Sequence, residues 1–168
     1  MKDDAEDERF REFMASRWPT LVHLAYGLTG DRGLAEDLAQ TTLANVYASW
    51  SKVSGASDPD AYTFRILVNV HKGRFRKKRV AEQLGETLPD KGLPDSTGAV
   101  DQRAVLVSAL MELAPRQRAA VLLRYFEDLS EVQTAAVLGC SVGTVKSQTF
   151  NALARLRRSP LLARGEAR

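Results

Sequence analysis

The chain has 168 residues, 44% of them hydrophobic and 27% charged, which is enough for one ordinary domain or two small ones with packed interiors. No apolar run approaches the ~18–20 residues of a membrane span, and the acidic start MKDDAEDERF is unlike a secretory signal. We therefore expect a soluble, cytoplasmic protein with no membrane partner. A single cysteine, Cys140, excludes an internal disulfide, and with only His23 and His71 beside it we expect no metal site.

The charges are distributed unevenly along the chain. Residues 1–64 carry 6 Lys/Arg against 11 Asp/Glu, whereas residues 65–80 carry 7 basic residues and no acidic one. Residues 81–128 carry 5 against 8, and residues 129–168 carry 6 against 2. Two basic segments in an otherwise acidic protein are typical of a chain that touches a polyanion at two places. The simpler alternative is a pair of solvated charged helices.

Apolar residues recur at three- and four-residue steps throughout, and no strand-like alternation is sustained, so the sequence predicts an all-α fold. The predicted helices span about residues 7–28, 31–50, 58–79, 101–113, 115–128, 130–138 and 141–158. Pro19 is expected to bend or split the first helix, because proline lacks an N–H donor. Asp31 and Asp58 are predicted N-caps, the second followed by a proline at the first helical position. The stretch SKVSGASD between the second and third helices is predicted to be a loop.

Residues 81–100 differ in composition from the rest, with three glycines, two prolines and no aromatic residue. This composition predicts a flexible linker. We therefore divide the chain into two small helical domains, residues 1–80 and 101–160, joined by the linker 81–100. Pro160 is expected to end the last helix and leave residues 161–168 as a tail.

The last two predicted helices form a helix-turn-helix motif. Ser130 and Gln133 have capping-box spacing, Gly139 ends the first helix and Ser141 caps the second. The second helix has an inner apolar stripe, composed of Val145, Thr149, Ala152 and Leu156. Its opposite face carries Lys146, Ser147, Phe150 and Asn151. An ordinary helical hairpin is the alternative to a DNA-binding motif here.

The outer face of this helix suits contacts with DNA bases in the major groove. Lysine can donate to guanine, asparagine can pair with adenine, and an exposed phenylalanine can lie on a thymine methyl group. Arg155, Arg157 and Arg158 near the helix end suit phosphates, which contribute affinity without sequence information.

A second basic face lies in DAYTFRILVNVHKGRFRKKR, residues 60–79. Its polar stripe steps by four, three and four residues through Arg65, Asn69, Lys72 and Arg76. This regular stripe favours a nucleic-acid surface. Aromatic residues lie close by in sequence and could stack on unpaired bases or belong to the core; they are Trp50, Tyr62, Phe64 and Phe75. We expect His71 to be a surface residue or a phosphate contact.

The segment LAPRQRAAVLLRYFEDLSEVQTAAVLGCSVGTVKSQTFNALARLR resembles the fourth region of the extracytoplasmic-function sigma factors of bacterial RNA polymerase. In that family this region reads the −35 promoter element. The resemblance covers about residues 8–158. It implies −35 contacts from Ser141, Thr144, Lys146, Ser147, Phe150, Asn151 and Arg155.

The first half resembles the family's second region. AEDLAQTTLANVYASW is similar to the helix that docks on the clamp of the polymerase β′ subunit, which implies contacts from Asp37, Leu38, Gln40 and Thr41. Residues 60–79 resemble the segment that melts and reads the −10 element, which implies contacts from Tyr62, Arg65, Asn69, Lys72 and Arg76. The loop SKVSGASD would then help to hold a flipped base. The clamp helix departs from the family pattern at Gly33, Leu34 and Thr41, and Tyr62 stands where a tryptophan is common.

The resemblance implies a promoter-specificity subunit that is not an enzyme and needs no cofactor. Its implied partners are core RNA polymerase, through the β′ clamp and the β flap, and promoter DNA in double- and single-stranded form. An anti-sigma factor is a further partner common in the family. Two alternatives remain: a stand-alone helix-turn-helix regulator, which would leave the second basic helix unexplained, and a helical adaptor that binds only protein.

Overall fold

The computed structural model of the protein describes residues 2–86 and 102–166, which are almost entirely helical. The helices are α1 (Lys2–Thr29), α2 (Arg32–Ala48), α3 (Trp50–Ser54), α4 (Pro59–Gln83), α5 (Gln102–Met111), α6 (Pro115–Val121), a π-helix (Leu122–Phe126), α7 (Glu131–Leu138), α8 (Val142–Arg157) and α9 (Pro160–Glu166). These two ranges contain no strand, and the all-α prediction is confirmed. No helix within them combines the length and hydropathy that crossing a membrane requires.

The predicted N-caps of α2 and α4 are present. The Asp31 carboxylate accepts a hydrogen bond from the Leu34 N–H at 2.8 Å, and the Asp58 carboxylate accepts one from the Ala61 N–H at 3.0 Å. Each satisfies a backbone donor that the first helical turn leaves without an intrahelical partner. Short polar residues thus fix where both helices begin.

Several features of the helices differ from the sequence-based prediction. Pro19 lies inside a continuous α1 and does not split it. Part of the predicted loop 51–58 forms α3, and α4 continues through Gln83 into the predicted linker. Pro160 does end α8, but it also starts α9, because its fixed φ suits the first position of a helix. The remaining linker residues, 87–100, lie outside the described residues.

The helix predicted for residues 115–128 changes character midway. It begins as α6 and widens into the π-helix Leu122–Phe126. Asp128 then adopts a left-handed conformation with φ of 52°, and the Leu129 N–H donates to the Leu123 carbonyl at 3.0 Å. This turn brings Leu129 into the core, where only 8% of it is exposed.

The two halves of the chain share one hydrophobic core. Leu21, Leu24 and Leu28 of α1 lie in the same buried cluster as Leu110 of α5 and Leu122 of the π-helix. Helix α1 packs against α5, α6 and the π-helix, and α4 packs against α7. The halves are therefore docked on each other in this structure.

Arg118 of α6 connects the halves through backbone carbonyls. Its guanidinium donates to the carbonyls of Leu110, Met111 and Leu113 at the end of α5, at distances of 2.9 to 3.2 Å. It also donates to the Leu28 carbonyl near the end of α1, at 3.0 Å. A cation at helix C-termini compensates both the unpaired carbonyls and the negative end of the helix dipole. Burial lowers the pKa of Arg118 from its ordinary value.

His71 of α4 lies at the same junction and is half-buried. Burial lowers its pKa, and the positive charges of Arg118 and Arg74 lower it further. His71 is thus only partly exposed, and its expected role as a surface residue or phosphate contact stays a prediction, although its lowered pKa disfavours the charged imidazolium that would attract a phosphate.

Replacing Arg118 by methionine should lower the free energy of unfolding by at least about 3 kcal/mol, because four backbone carbonyls lose a charged donor. Urea denaturation followed by circular dichroism measures this change. Arg116→Met is the matched control, since Arg116 is exposed on the same helix. Equal unfolding midpoints for the two variants would contradict the structural role of Arg118.

The free energy of unfolding should fall as the pH drops below about 6.5, where the unfolded chain binds a proton that folded His71 resists. One such proton gives a slope of at most about 1.4 kcal/mol per pH unit. Denaturation curves between pH 7.5 and 5.5 should show a shallower fall for His71→Gln. His23→Gln, at an exposed position, should behave like the unaltered protein. Identical slopes in all three proteins would count against this explanation.

Candidate nucleic-acid interface

Helices α7 and α8 form the predicted helix-turn-helix. The Ser130 side chain accepts from the Gln133 N–H at 3.0 Å, and the Gln133 side chain accepts from the Ser130 N–H at 2.8 Å. Gly139 ends α7 at φ of 68°, a left-handed conformation that glycine adopts without strain. Ser141 then caps α8 by accepting from the Thr144 N–H at 3.1 Å. The capping box, the glycine and the second cap are confirmed.

One face of α8 is buried and the opposite face is open to solvent. Val145, Thr149 and Ala152 are at most 9% exposed. The predicted base-contacting residues Lys146, Ser147, Phe150 and Asn151 are all exposed, as is Arg155. Phe150 is 73% exposed, which leaves its ring free for a partner. The Ser141 and Thr144 hydroxyls lie 2.9 Å apart at the start of the helix, where backbone N–H groups also favour anions.

The polar stripe of α4 is likewise exposed. Arg65, Asn69, Lys72 and Arg76 all face solvent, while Leu67 and the neighbouring Val68 are buried beneath them. From residue 72 to the end of α4 nearly every side chain is exposed, so the helix extends beyond the packed core.

The aromatic residues near this stripe fall into different environments. Phe64 is 6% exposed and belongs to the core, so base stacking by this ring is excluded in this structure. Tyr62 is half-buried, and Phe75 is 40% exposed. The half-buried Trp50 ring packs on Phe10 of α1, at 5.5 Å between ring centroids. Of the four rings, Tyr62 and Phe75 lie on α4 with the stripe and have exposed surface that could contact a base.

The predicted clamp-docking residues of α2 do not all reach the surface. Asp37 and Gln40 are exposed, and Thr41 is half-buried with its hydroxyl accepting from Arg74 of α4 at 2.6 Å. Leu38 is 1% exposed and packs in the core, which corrects the prediction that it contacts a partner directly. Its part is to hold α2 in place.

An apolar groove of about 600 Å³ lies beside Gln40 and was not predicted. Its lining residues come from α1 and α2: Phe10, Met14, Ala15, Trp18, Gln40, Leu43, Ala44 and Tyr47. Tyr47 is 52% exposed, and its hydroxyl donates to the Asp7 carboxylate at 3.1 Å. Periodicity places Phe10 and Met14 on the inward apolar face of α1. It cannot show that the packed core covers only part of this face and leaves the rest to line a groove.

The two candidate DNA-facing regions touch each other. The Lys72 ammonium donates to the Leu138 carbonyl at 3.4 Å, which joins α4 to the end of α7. The Gln133 side chain donates to Asp58 at 3.3 Å. Part of the α4 region is thus in contact with the first helix of the helix-turn-helix.

Two different family models match the chain, and each covers one of its two basic segments. The family model for sigma-70 region 2 matches residues 14–80, which include α2 and the stripe of α4. The model for sigma-70 region 4 matches residues 103–156, which include the helix-turn-helix.

Individual relatives match over most of the chain. It is 41% identical over 148 residues to an RNA polymerase sigma-E factor of Streptomyces antibioticus, covering 88% of this chain and 82% of that one. It is 30% identical over 158 residues to the extracytoplasmic-function sigma factor SigL of Mycobacterium tuberculosis, covering 91% and 89%. Among solved structures, one of the sigma factor RpoE with the anti-sigma factor NepR from Bartonella quintana matches with a TM-score of 0.76 at 30% identity, covering 93% and 98%. The chain therefore belongs to the extracytoplasmic-function sigma factors of RNA polymerase.

Proposed function

We propose that this protein binds core RNA polymerase and directs it to promoters by contacting the −35 and −10 elements and assisting in DNA melting. The observation that carries the proposal is the presence of two exposed, basic, DNA-suited helix faces in segments that match two different sigma-70 regions. A stand-alone regulator would use only the second. A protein-binding adaptor would use neither.

Helix α8 reads the −35 element as duplex DNA. Its exposed Lys146, Phe150 and Asn151 offer a donor, an apolar ring and an amide to base edges in the major groove. Arg155 lies further along the helix and suits a phosphate, which fixes the register of the protein on the DNA.

Helix α4 contacts the −10 element. Arg65, Lys72 and Arg76 attract the phosphates, and Asn69 between them provides hydrogen-bonding groups for a base. Flipping a base costs a few kcal/mol of stacking, which Tyr62 and the 51–58 segment help to compensate. Binding the separated strand in this way favours the melted form of the DNA.

Helix α2 and the adjoining groove dock on the polymerase β′ clamp. Asp37 and Gln40 supply exposed polar groups, and the groove supplies an apolar surface beside them. Docking holds both halves at fixed positions, so that once one promoter element is bound the effective concentration of the second contact rises. The β flap is the proposed anchor for the second half.

The RpoE structure contains an anti-sigma factor, and this supports a protein partner of the same kind for this chain. The protein acts as an initiation factor and not as an enzyme: its site residues bind polymerase and DNA, and catalysis belongs to the polymerase.

Run-off transcription with purified core polymerase and a library of promoter fragments tests the proposal. Transcripts should start at defined sites only when the protein is added, and the protein should co-purify with core polymerase. A protein that shifts DNA in gels without polymerase, yet yields no transcripts with it, would instead be a stand-alone regulator.

Lys146→Ala should reduce −35-dependent transcription by roughly 10- to 100-fold, the range expected for one lost base contact of about 1–3 kcal/mol. Binding to core polymerase should be unchanged, because the exposed Lys146 is not among the residues proposed to contact the polymerase. Run-off assays and core pull-downs measure the two effects separately, with Arg116→Ala as an exposed control. Equal losses of transcription and core binding would contradict the assignment.

Arg65→Ala combined with Asn69→Ala should impair open-complex formation more than closed-complex binding. The reason is that these residues are proposed to bind the separated strand and not the duplex. Permanganate footprinting of unpaired thymines measures melting, and filter binding at low temperature measures closed complexes. Gln83→Ala, exposed at the end of the same helix, is the control. Unchanged thymine reactivity in the double variant would argue against a melting role for α4.

A further inference from the structure

The end of α4 is a regularly capped helix that projects from the core. Residues 72–84 extend roughly 20 Å along the helix axis, and all of them except Ala81 are exposed. The helix ends in a Schellman motif, in which the Glu86 N–H donates to the Ala81 carbonyl at 2.9 Å. The Gly85 N–H donates to the Glu82 carbonyl at 3.1 Å, and Gly85 has the left-handed φ of 76° that this motif requires. The outer turns are therefore well-formed helix whose side chains are available to a partner.

A shallow groove of about 300 Å³ lies on one side of these turns. It is lined by Arg76, Lys77, Val80, Ala81, Leu84 and Glu86. Val80 is 49% exposed and Leu84 is 72% exposed, so the groove presents aliphatic surface to solvent. Residues 72–79 beside it carry six Lys/Arg and no acidic residue. The surface that complements this groove is a large apolar side chain with carboxylates next to it.

The groove faces a different direction from the DNA-facing stripe of α4. Successive residues of a helix are rotated by about 100°, which places the apolar residues of the groove roughly a quarter turn from the centre of the stripe. Phosphates would pair with the nearby cations but would leave Val80 and Leu84 without an apolar partner. Unpaired bases stack on aromatic rings, and the described residues that line this groove include none. A protein surface therefore fits the groove better than DNA does.

The groove is too small to hold a protein partner by itself. A stable protein–protein interface takes about 20–30 residues from each side, whereas six residues line this groove. This contact must therefore assist a larger one on the same partner. The proposed docking of α2 on core polymerase is such a contact, and α2 packs directly against α4. Once α2 has bound the polymerase, the end of α4 meets it at a high effective concentration.

We propose that the groove at the end of α4 is a second docking site for core polymerase, filled by an apolar side chain of the polymerase with carboxylates next to it. The apolar side chain lies over Val80 and Leu84, and the carboxylates pair with Arg76 and Lys77. Arg76 also belongs to the DNA-facing stripe, so polymerase and promoter DNA meet along this one helix. The site rests on the proposed function, because its partner is the polymerase.

Val80→Ser combined with Leu84→Ser tests the apolar part of the site. This double variant should bind core polymerase roughly 10-fold more weakly, because the apolar contact is lost. Its helical circular dichroism should be unchanged, since both side chains are exposed. Val132→Ser is the matched control, because it removes an aliphatic side chain of similar exposure, 69%, from α7. Competition against fluorescently labelled unaltered protein measures the affinities, and equal affinities of the double variant and the control would overturn the proposal.

Lys77→Glu tests the charged part of the site. It should weaken core binding several-fold more than Lys78→Glu, which makes the same change of charge one residue away and outside the groove. The difference should shrink as the salt concentration is raised, because dissolved ions screen exposed charges. Equal effects of the two substitutions would reflect net charge alone and would count against a groove for carboxylates.

A photo-cross-linking amino acid introduced in place of Leu84 identifies what lies in the groove. In the complex with core polymerase and promoter DNA, cross-links should form to a polymerase subunit, at a segment that contains acidic residues. Cross-links to DNA, to a second copy of this chain or within one chain would each overturn the proposal. If the double variant loses its helical circular dichroism, this experiment still decides.

The binding of the unaltered protein to core polymerase separates this proposal from the proposed function. No binding by the unaltered protein would reject the sigma-factor role and this site with it. Normal binding that the double variant retains would reject the groove alone and leave the proposed function standing.

Discussion

The packing of the second half depends on one buried guanidinium. Among the residues that the structure describes, Arg118 is the one charged residue that is buried, with 9% of its surface exposed. Burying a charge is costly unless hydrogen bonds compensate it, and four carbonyls from two helix ends do so here. One of these carbonyls belongs to α1. The guanidinium that connects α5 and α6 therefore also helps to fix the position of the first half against the second.

The remaining architecture divides its tasks between buried and exposed faces of the same helices. Helix α8 packs through Val145 and Ala152 while presenting Lys146 and Phe150, and α4 packs through Leu67 while presenting Asn69. Each binding residue is therefore positioned by apolar neighbours one or two places away. Substitutions on the outer faces should change binding with little effect on folding, since those side chains carry few packing contacts.

Local chemistry explains why much of this was predictable from the sequence. The caps at Asp31, Asp58, Ser130 and Ser141 act on backbone groups three residues away, so composition and spacing suffice to identify them. Contacts between distant residues leave no such signal. The burial of Leu38, the π-helix after α6, and the Arg118 to Leu28 bond depend on how helices pack, which residue periodicity does not encode.

Ionic strength should affect the free end of α4 in two opposite ways, one on its helical order and the other on its binding to DNA. Beyond residue 72 this helix has almost no packing partner, and it places like charges one turn apart at Lys72 and Arg76 and at Arg74 and Lys78. Dissolved ions screen that repulsion and so stabilise the helical turns. The Lys78–Glu82 ion pair offsets a small part of the same repulsion. The same ions compete with DNA for these cations. A higher salt concentration thus makes this segment better ordered in the free protein and weakens its binding to nucleic acid.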